Sequence, residues 1–354
     1  MSIKQYLKKN WKDFFKEEAP DDFDCVLLSS CLEEYGNDLI LIFLDRLHYP
    51  KYIMKMCRTP EYGFKIEREY NGLLHLSKNA FLRKYIPYPY KIGTFNGSSF
   101  VIQGGIMGKS LHEILRHKGY TSYTKKLINQ SIDLLVKINL ANIISETGCD
   151  ITSVNVIDTL RKQNDFIRQA GLSYSDLEPF LEQNDEVDGG RYFFTHGDFW
   201  GANILINPSS NEVSGIIDWE FSNTCSKNPM DIIWFILNIL FAINTKKSAY
   251  SSFSSIIIHS LSIPGSLDLI RDCFKRYANQ IGIKDLNCGK LLICTLIEMS
   301  FREILTYGKS NKMDKECLSL LRFFIADKHI IPAVNSHENY RLTDKNKKQA
   351  LKRG

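Results

Sequence analysis

The chain has 354 residues, 44% hydrophobic, 12% aromatic and 24% charged, which is enough to bury a sizeable core as two domains or as two lobes of one catalytic unit. Its net charge of +5 is modest for that length and argues against bulk binding of a nucleic acid polymer. The longest apolar run, "IIWFILNILFAI" from Ile232, is too short for a membrane span and predicts a buried helix, while "MSIKQYLKKNWKDFFKEE" lacks the apolar core and cleavage site of a secretory signal. Nine cysteines without a C-x-x-C pair fit free, mostly buried thiols in a reducing cytoplasm, and eight histidines without H-x-x-x-H spacing argue against zinc.

In chain order, "CVLLSS", "DLILIFL" and "KYIMKMC" over residues 24–57 predict a three-strand meander broken at "YGND" and "DRLHYP". "FKIEREYNGLLHLSKN" follows as an amphipathic helix with Ile66, Leu73 and Leu76 on its apolar face, ending near Asn79. "YKIGTFNGSSFVIQGG" predicts a hairpin turning at Asn96-Gly97, and Gly104-Gly105 ends it. "SLHEILRHKG" and residues 122–146 then predict helices, strands return only over 192–217, and helices resume from Asp231 to about residue 330. This divides the chain into a β-rich lobe over 1–105, a helical lobe over 106–340 and a basic tail over 341–354.

The chemistry concentrates in "RYFFTHGDFWGANILINPSSNEVSGIIDWEFS", residues 191–222. Polar residues His196, Asp198, Asn203, Asp218 and Glu220 stand at the ends of apolar strands, where buried carboxylates demand partners. Asp198 and Asn203 are spaced as H-x-D-x-x-x-x-N, and Asp218 follows at the next strand end. Phosphoryl transfer needs such a set: one carboxylate to orient the acceptor hydroxyl and take its proton, and an amide with a second carboxylate as hard-oxygen ligands for magnesium.

"HGDFWGANIL" and "GIIDWEFS" resemble the catalytic loop and metal-binding segment of the aminoglycoside phosphotransferase and choline kinase-like family, small-molecule relatives of protein kinases. The resemblance implies an α+β, two-lobed protein-kinase-like fold, with a small antiparallel sheet in the first lobe and a larger, mainly helical second lobe. It implies Asp198 as the catalytic carboxylate, Asn203 and Asp218 as magnesium ligands, and His196 as a support for the loop. "YIMKM" is similar to the third-strand lysine segment, placing Lys55 at the α- and β-phosphates of ATP, and "EREYNGLLHL" supplies Glu69 as its partner, with Glu67 as the rival. "FVIQGGIMGKSL" resembles the inter-lobe segment, with Gln103, Gly104, Gly105 and Ile106 against adenine, and Asp231 in "NPMDIIWF" matches a structural residue. The first turn, "SSCLEEYGND", departs from the pattern in lacking the G-x-G-x-x-G lid and in carrying Glu33 and Glu34.

The expected activity is an ATP- and magnesium-dependent cytoplasmic kinase acting on a hydroxyl of a small molecule. Aminoglycoside or choline kinase and a non-catalytic nucleotide-binding pseudokinase are the alternatives, and the complete set Lys55, Asp198, Asn203 and Asp218 speaks against the last. From Ser222 onward there are 20 Lys/Arg against 11 Asp/Glu, and 14 against 10 without the tail from Arg341. That balance favours a neutral or anionic acceptor, such as a sugar or glycan precursor, over a polycation.

Overall fold

A computed structural model describes residues 2–20, 25–29, 38–44, 49–141, 168, 171–181, 192–226, 228–246, 251–283, 286–307, 312–327 and 332. The chain divides into two compact units, one of Met1–Leu111, His196–Asp198 and Ala202–Asn223, the other of His112–Thr195, Phe199–Gly201 and Thr224–Gly354. The division after Leu111 differs from the expected boundary at 105/106. The segments around Asp198, Asn203 and Asp218 group with the first unit rather than with the helices. The first turn and the tail over 341–354 lie outside the described residues.

The first unit is built on a five-stranded antiparallel sheet in the order β1-β2-β3-β5-β4. Its strands are β1 (Cys25–Ser29), β2 (Asp38–Leu44), β3 (Pro50–Cys57), β4 (Pro89–Phe95) and β5 (Ser98–Gly104). In its ladder Lys55 on the central strand stands opposite Ile40 on β2 and Val101 on β5. At the hairpin tip Asn96 and Gly97 both take left-handed backbone (φ 50° and 84°), the geometry an Asn-Gly turn between twisted strands requires.

Helix α1 (Ile3–Phe15) was not legible as a helix from the charge of its sequence. A capping box between Ser2 and Gln5 starts it, and Lys16 ends it in left-handed backbone at φ 54°. Leu7, Trp11, Phe14 and Phe15 recur at helical spacing and join Phe43, Tyr52, Met54 and Phe100 in one buried cluster. Helix α2 (Gly63–Leu76) buries Lys65, Ile66, Glu69, Leu73 and Leu76 along one stripe. A second small sheet pairs β6 (Lys109–Ser110) with β8 (Ile204–Asn207) and β8 with β9 (Glu212–Ile216), which is why the strands between Asn203 and Asp218 belong to this unit.

The second unit contains α3 (Leu111–Lys118, beginning at the division), α4 (Ser122–Asn139), α5 (Tyr174–Leu181), α6 (Asp231–Asn244), α7 (Phe253–Leu261), α8 (Ser266–Ile281), α9 (Cys288–Tyr307) and α10 (Lys312–Ala326). The apolar run from Ile232 is α6, buried almost throughout, and among the described residues no single helix is long and apolar enough to cross a membrane. Strand β7 (Phe193–Thr195) leads into the His196 segment and pairs with β10 (Asn223–Ser226), a strand beyond the range 192–217 expected from sequence. Asn139, the last residue of α4, donates to the Phe194 carbonyl at 2.7 Å and accepts from the Tyr277 hydroxyl at 2.6 Å, and all three residues are fully buried.

The free-thiol expectation needs correction at one position. Cys57, Cys273, Cys288, Cys294 and Cys317 are free and buried, but Cys225 on β10 is disulfide-bonded. Counting cysteines and finding no C-x-x-C cannot detect a pairing between residues distant in sequence.

Trp11, only 3% exposed, lies 4.4 Å from the Phe15 ring and 6.1 Å from those of Phe43 and Tyr52. Trp11→Ala is therefore expected to cost about 3–5 kcal/mol in chemical denaturation through the cavity it leaves. Lys12→Ala, which breaks only the exposed pair with Glu18, is expected to change stability by less than about 1 kcal/mol.

Candidate active site

The site in the first unit is organised by Lys55. Its Nζ donates to Glu69 Oε2 at 2.8 Å and to Asp218 Oδ1 at 2.5 Å, with side-chain exposures of 9%, 0% and 38% respectively. The rival partner Glu67 is exposed on α2, whereas Glu69 lies on the buried stripe. Lys51, four residues before Lys55, instead pairs with Glu17 and plays no part here.

Burial alone would lower the Lys55 pKa, but the carboxylates of Asp218, Glu69 and Glu220 outweigh it and hold the ammonium well above its ordinary range. Burial works to raise Asp218 as well, and the Lys55 charge overrides it, leaving this carboxylate below the usual value. Glu69 stays raised, because burial and the Asp218 charge together exceed the pull of Lys55. Glu220 is pushed up to about 7 by burial and by Asp218, against Lys65, which it meets at 2.9 Å.

The loop from His196 to Asn203 is locked by hydrogen bonds. The Asp198 backbone N–H donates to His196 Nδ1 at 3.2 Å, and His196 Nε2 contacts the Ile217 carbonyl at 3.0 Å, a pattern that suits the neutral ring with its proton on Nε2. The His196 ring packs on Trp219, 4.4 Å between centroids, and the Trp219 Nε1–H donates to the Ile216 carbonyl at 3.0 Å. Asn203 Nδ2 donates to the Asp198 carbonyl at 3.0 Å and to Asp198 Oδ2 at 3.1 Å. The Ile217 N–H donates to the Asn203 carbonyl at 3.0 Å, joining the two segments.

Two backbone conformations are special. Gly197 has φ 79°, and a Cβ there would lie 2.2 Å from the Phe221 carbonyl, so the middle position of "HGD" admits no side chain. Asp218 has φ 69°, an uncommon conformation for a residue with a Cβ, held by the bonds on either side of it.

At the end of β5 the Gly104 N–H donates to the Tyr88 carbonyl at 2.8 Å and the Gly105 N–H to the Lys51 carbonyl at 2.9 Å. Gln103 is 3% exposed, and its Oε1 has no hydrogen-bond partner. Ile106 packs against Gly215, where a Cβ would come within 2.6 Å of Ile106 Cδ1. All nine site residues expected from sequence therefore fall in the same unit. Lys55, Glu69 and Asp218 form one directly bonded cluster, Asp198 and Asn203 form another, and Gln103–Ile106 lies on the strand beside β3 and the turn after it. Lys65 was missed by sequence reasoning. The available signal was its position four residues before Glu69, on the same face of the helix.

Residues 42–224, just over half of the chain, match the phosphotransferase enzyme family. The chain belongs to that family. No curated protein matches the phosphotransferase by sequence. Among solved structures it is similar to the GDP complex of a variant of aminoglycoside 2′-phosphotransferase IIIa, with a TM-score of 0.51 and 14% identity over 92% of this chain and 98% of that chain. It is also similar to an aminoglycoside phosphotransferase from Streptomyces rimosus in complex with ADP and streptomycin, with a TM-score of 0.47 and 10% identity over 93% of this chain and 99% of that one. The first likeness places the phosphotransferase in the kinase-like, two-lobed α+β fold.

Removing Lys55 leaves Glu69 and Asp218 without their common cation, and loss of one partner of a buried pair costs about 3–5 kcal/mol. In the wild type, the depressed Asp218 pKa gives stability that is lost only as pH falls below the ordinary 3.8, and the raised Lys55 pKa gives stability lost only above the ordinary 10.5. This contribution is therefore flat from about pH 5 to 9. In Lys55→Met the unpaired carboxylates take up protons more readily, so the variant's deficit in denaturation midpoint is expected to be larger at pH 8 than at pH 5.

Proposed function

We propose that this phosphotransferase moves the γ-phosphate of ATP, with magnesium, to a hydroxyl group of a small molecule. The observation that carries the reading is the buried Lys55 held jointly by Glu69 and Asp218, in the same unit as the bonded pair Asp198 and Asn203. A cation fixed on a central strand is suited to the α- and β-phosphates, where it offsets their charge. Asp198, its carboxylate steadied by Asn203, is the group we assign to orient the acceptor hydroxyl and accept its proton.

The residues present fit magnesium. Asn203 commits its amide nitrogen to Asp198 and keeps its amide oxygen as a hard ligand, and Asp218 commits one oxygen to Lys55 while its side chain remains 38% exposed. Magnesium characteristically uses one or two protein oxygens and completes its shell with phosphates and water. Asn203 and Asp218 would hold it, and the bound ion would neutralise charge on the phosphates. On the adenine side, Gly104 and Gly105 have already spent their N–H groups within the protein, so Ile106 N–H is the donor we assign to the base.

For the acceptor, the surplus of 20 Lys/Arg over 11 Asp/Glu from Ser222 onward supports a neutral or anionic hydroxyl compound of the sugar or glycan-precursor class over a polycation. The decisive assay is magnesium-dependent ADP release across a panel of sugars, choline and kanamycin-type aminoglycosides. Turnover of a sugar and none of an aminoglycoside is the expected result, and efficient turnover of an aminoglycoside would overturn the acceptor class. With the responding acceptor, Asp198→Asn is expected to lower kcat by about 10²–10⁴-fold while leaving nucleotide affinity nearly unchanged. Retention of most activity would point to another base.

A further inference from the structure

Glu220 stands out in the sequence beside the metal segment, yet phosphate transfer as described leaves it without a task. In the structure it is paired. Lys65, on the first turn of α2, meets its Oε2 at 2.9 Å, with side-chain exposures of 4% and 15%, and the Lys65 ammonium also lies 5.5 Å from the centre of the Phe221 ring. Lys65 and Glu69 are four residues apart, on the same stripe of α2. One helix face thus presents a cation to Glu220 and an anion to Lys55, which is itself bonded to Asp218.

The backbone at Asp218 needs such ties. Its left-handed conformation (φ 69°) persists only where the surroundings over-determine it. On the N-terminal side, Ile216 N–H is bound to the Tyr85 carbonyl at 2.7 Å and Ile217 N–H to the Asn203 carbonyl at 3.0 Å. On the C-terminal side, the chain is held by the Ser222 N–H to Trp219 carbonyl bond at 3.0 Å, by the Trp219 indole, and by Glu220 on Lys65. Lys55 grips the Asp218 carboxylate itself, the group a metal would share. The Lys65–Glu220 pair grips the chain two residues further on, through atoms that no metal ligand uses. A buried ion pair contributes little net stability over apolar packing of similar volume, so its use is better sought in position.

The geometry points to Lys65 as a positioning residue that, by holding Glu220, fixes Asp218 in the orientation in which it receives magnesium. This rests on the assignment of Asp218 as a metal ligand. The test is the affinity of the full-length protein for ADP, measured calorimetrically with and without magnesium, in wild type, Lys65→Met, Lys65→Arg, Glu220→Gln and Asp218→Asn. Lys65→Met is expected to lose about tenfold of the magnesium-dependent gain in ADP affinity while its metal-free ADP affinity stays within about twofold of wild type. Lys65→Arg, which keeps the charge, is expected to retain most of the gain.

An undiminished gain in Lys65→Met overturns the inference. If that variant does not fold, Glu220→Gln decides by the same comparison, because it keeps the side-chain volume and removes the charge: a reduced gain supports the pair's role and a full gain overturns it. Asp218→Asn separates the two levels of the argument. If it keeps the gain, the metal assignment itself falls. If it loses the gain while Lys65→Met keeps it, only the positioning role falls.

Discussion

An ammonium group enclosed by carboxylates in the interior is the constraint around which the site is arranged. Lys55 sits on the central strand, and from there it satisfies Glu69 on α2 and Asp218 just after β9. Neither Lys55 nor Glu69 is tolerable alone at that depth, since an unpaired buried ion costs far more than a hydrogen bond returns. Strand, helix and the segment after β9 are consequently bound to one arrangement. The local rules obey it: β3 must be central for Lys55 to be enclosed, α2 must present Glu69 inward, and Asp218 must accept a left-handed backbone to reach the lysine.

Much of this was legible because it is written in short-range patterns. Apolar runs separated by turn-rich segments marked β1, β2 and β3, and the Asn-Gly step fixed the β4–β5 hairpin. Helical spacing singled out α2, and with it Glu69 over Glu67, because the residue in register with Leu73 and Leu76 must face inward. The H-x-D-x-x-x-x-N spacing singled out Asp198 and Asn203, which lie in contact at 3.1 Å.

What escaped the sequence was settled by neighbours far away in the chain. The N-terminal segment reads as charged until Leu7, Trp11, Phe14 and Phe15 are given an apolar sheet face to cover. Strand β10 exists because β7 is there to pair with it, and the Cys225 disulfide likewise depends on a second, distant residue. The grouping of β8 and β9 with the N-terminal unit follows from their ladder to β6. Lys65 had no reason to be noticed until Glu220 stood opposite it, 155 residues further along the chain.

The tight approach at the end of β5 bears on how this enzyme could diversify. A Cβ on Gly105 would fall 2.0 Å from the Pro50 carbonyl oxygen, a clash with main chain that no rotamer relieves. Residue 105 is thus closed to side chains, whereas a Cβ at Gly104 would come no nearer than 3.4 Å to its surroundings, and Gln103 and Ile106 already carry side chains. The variation open to this stretch is confined to positions 103, 104 and 106. Divergence along this strand end would leave its mark in those three codons and spare the glycine between them.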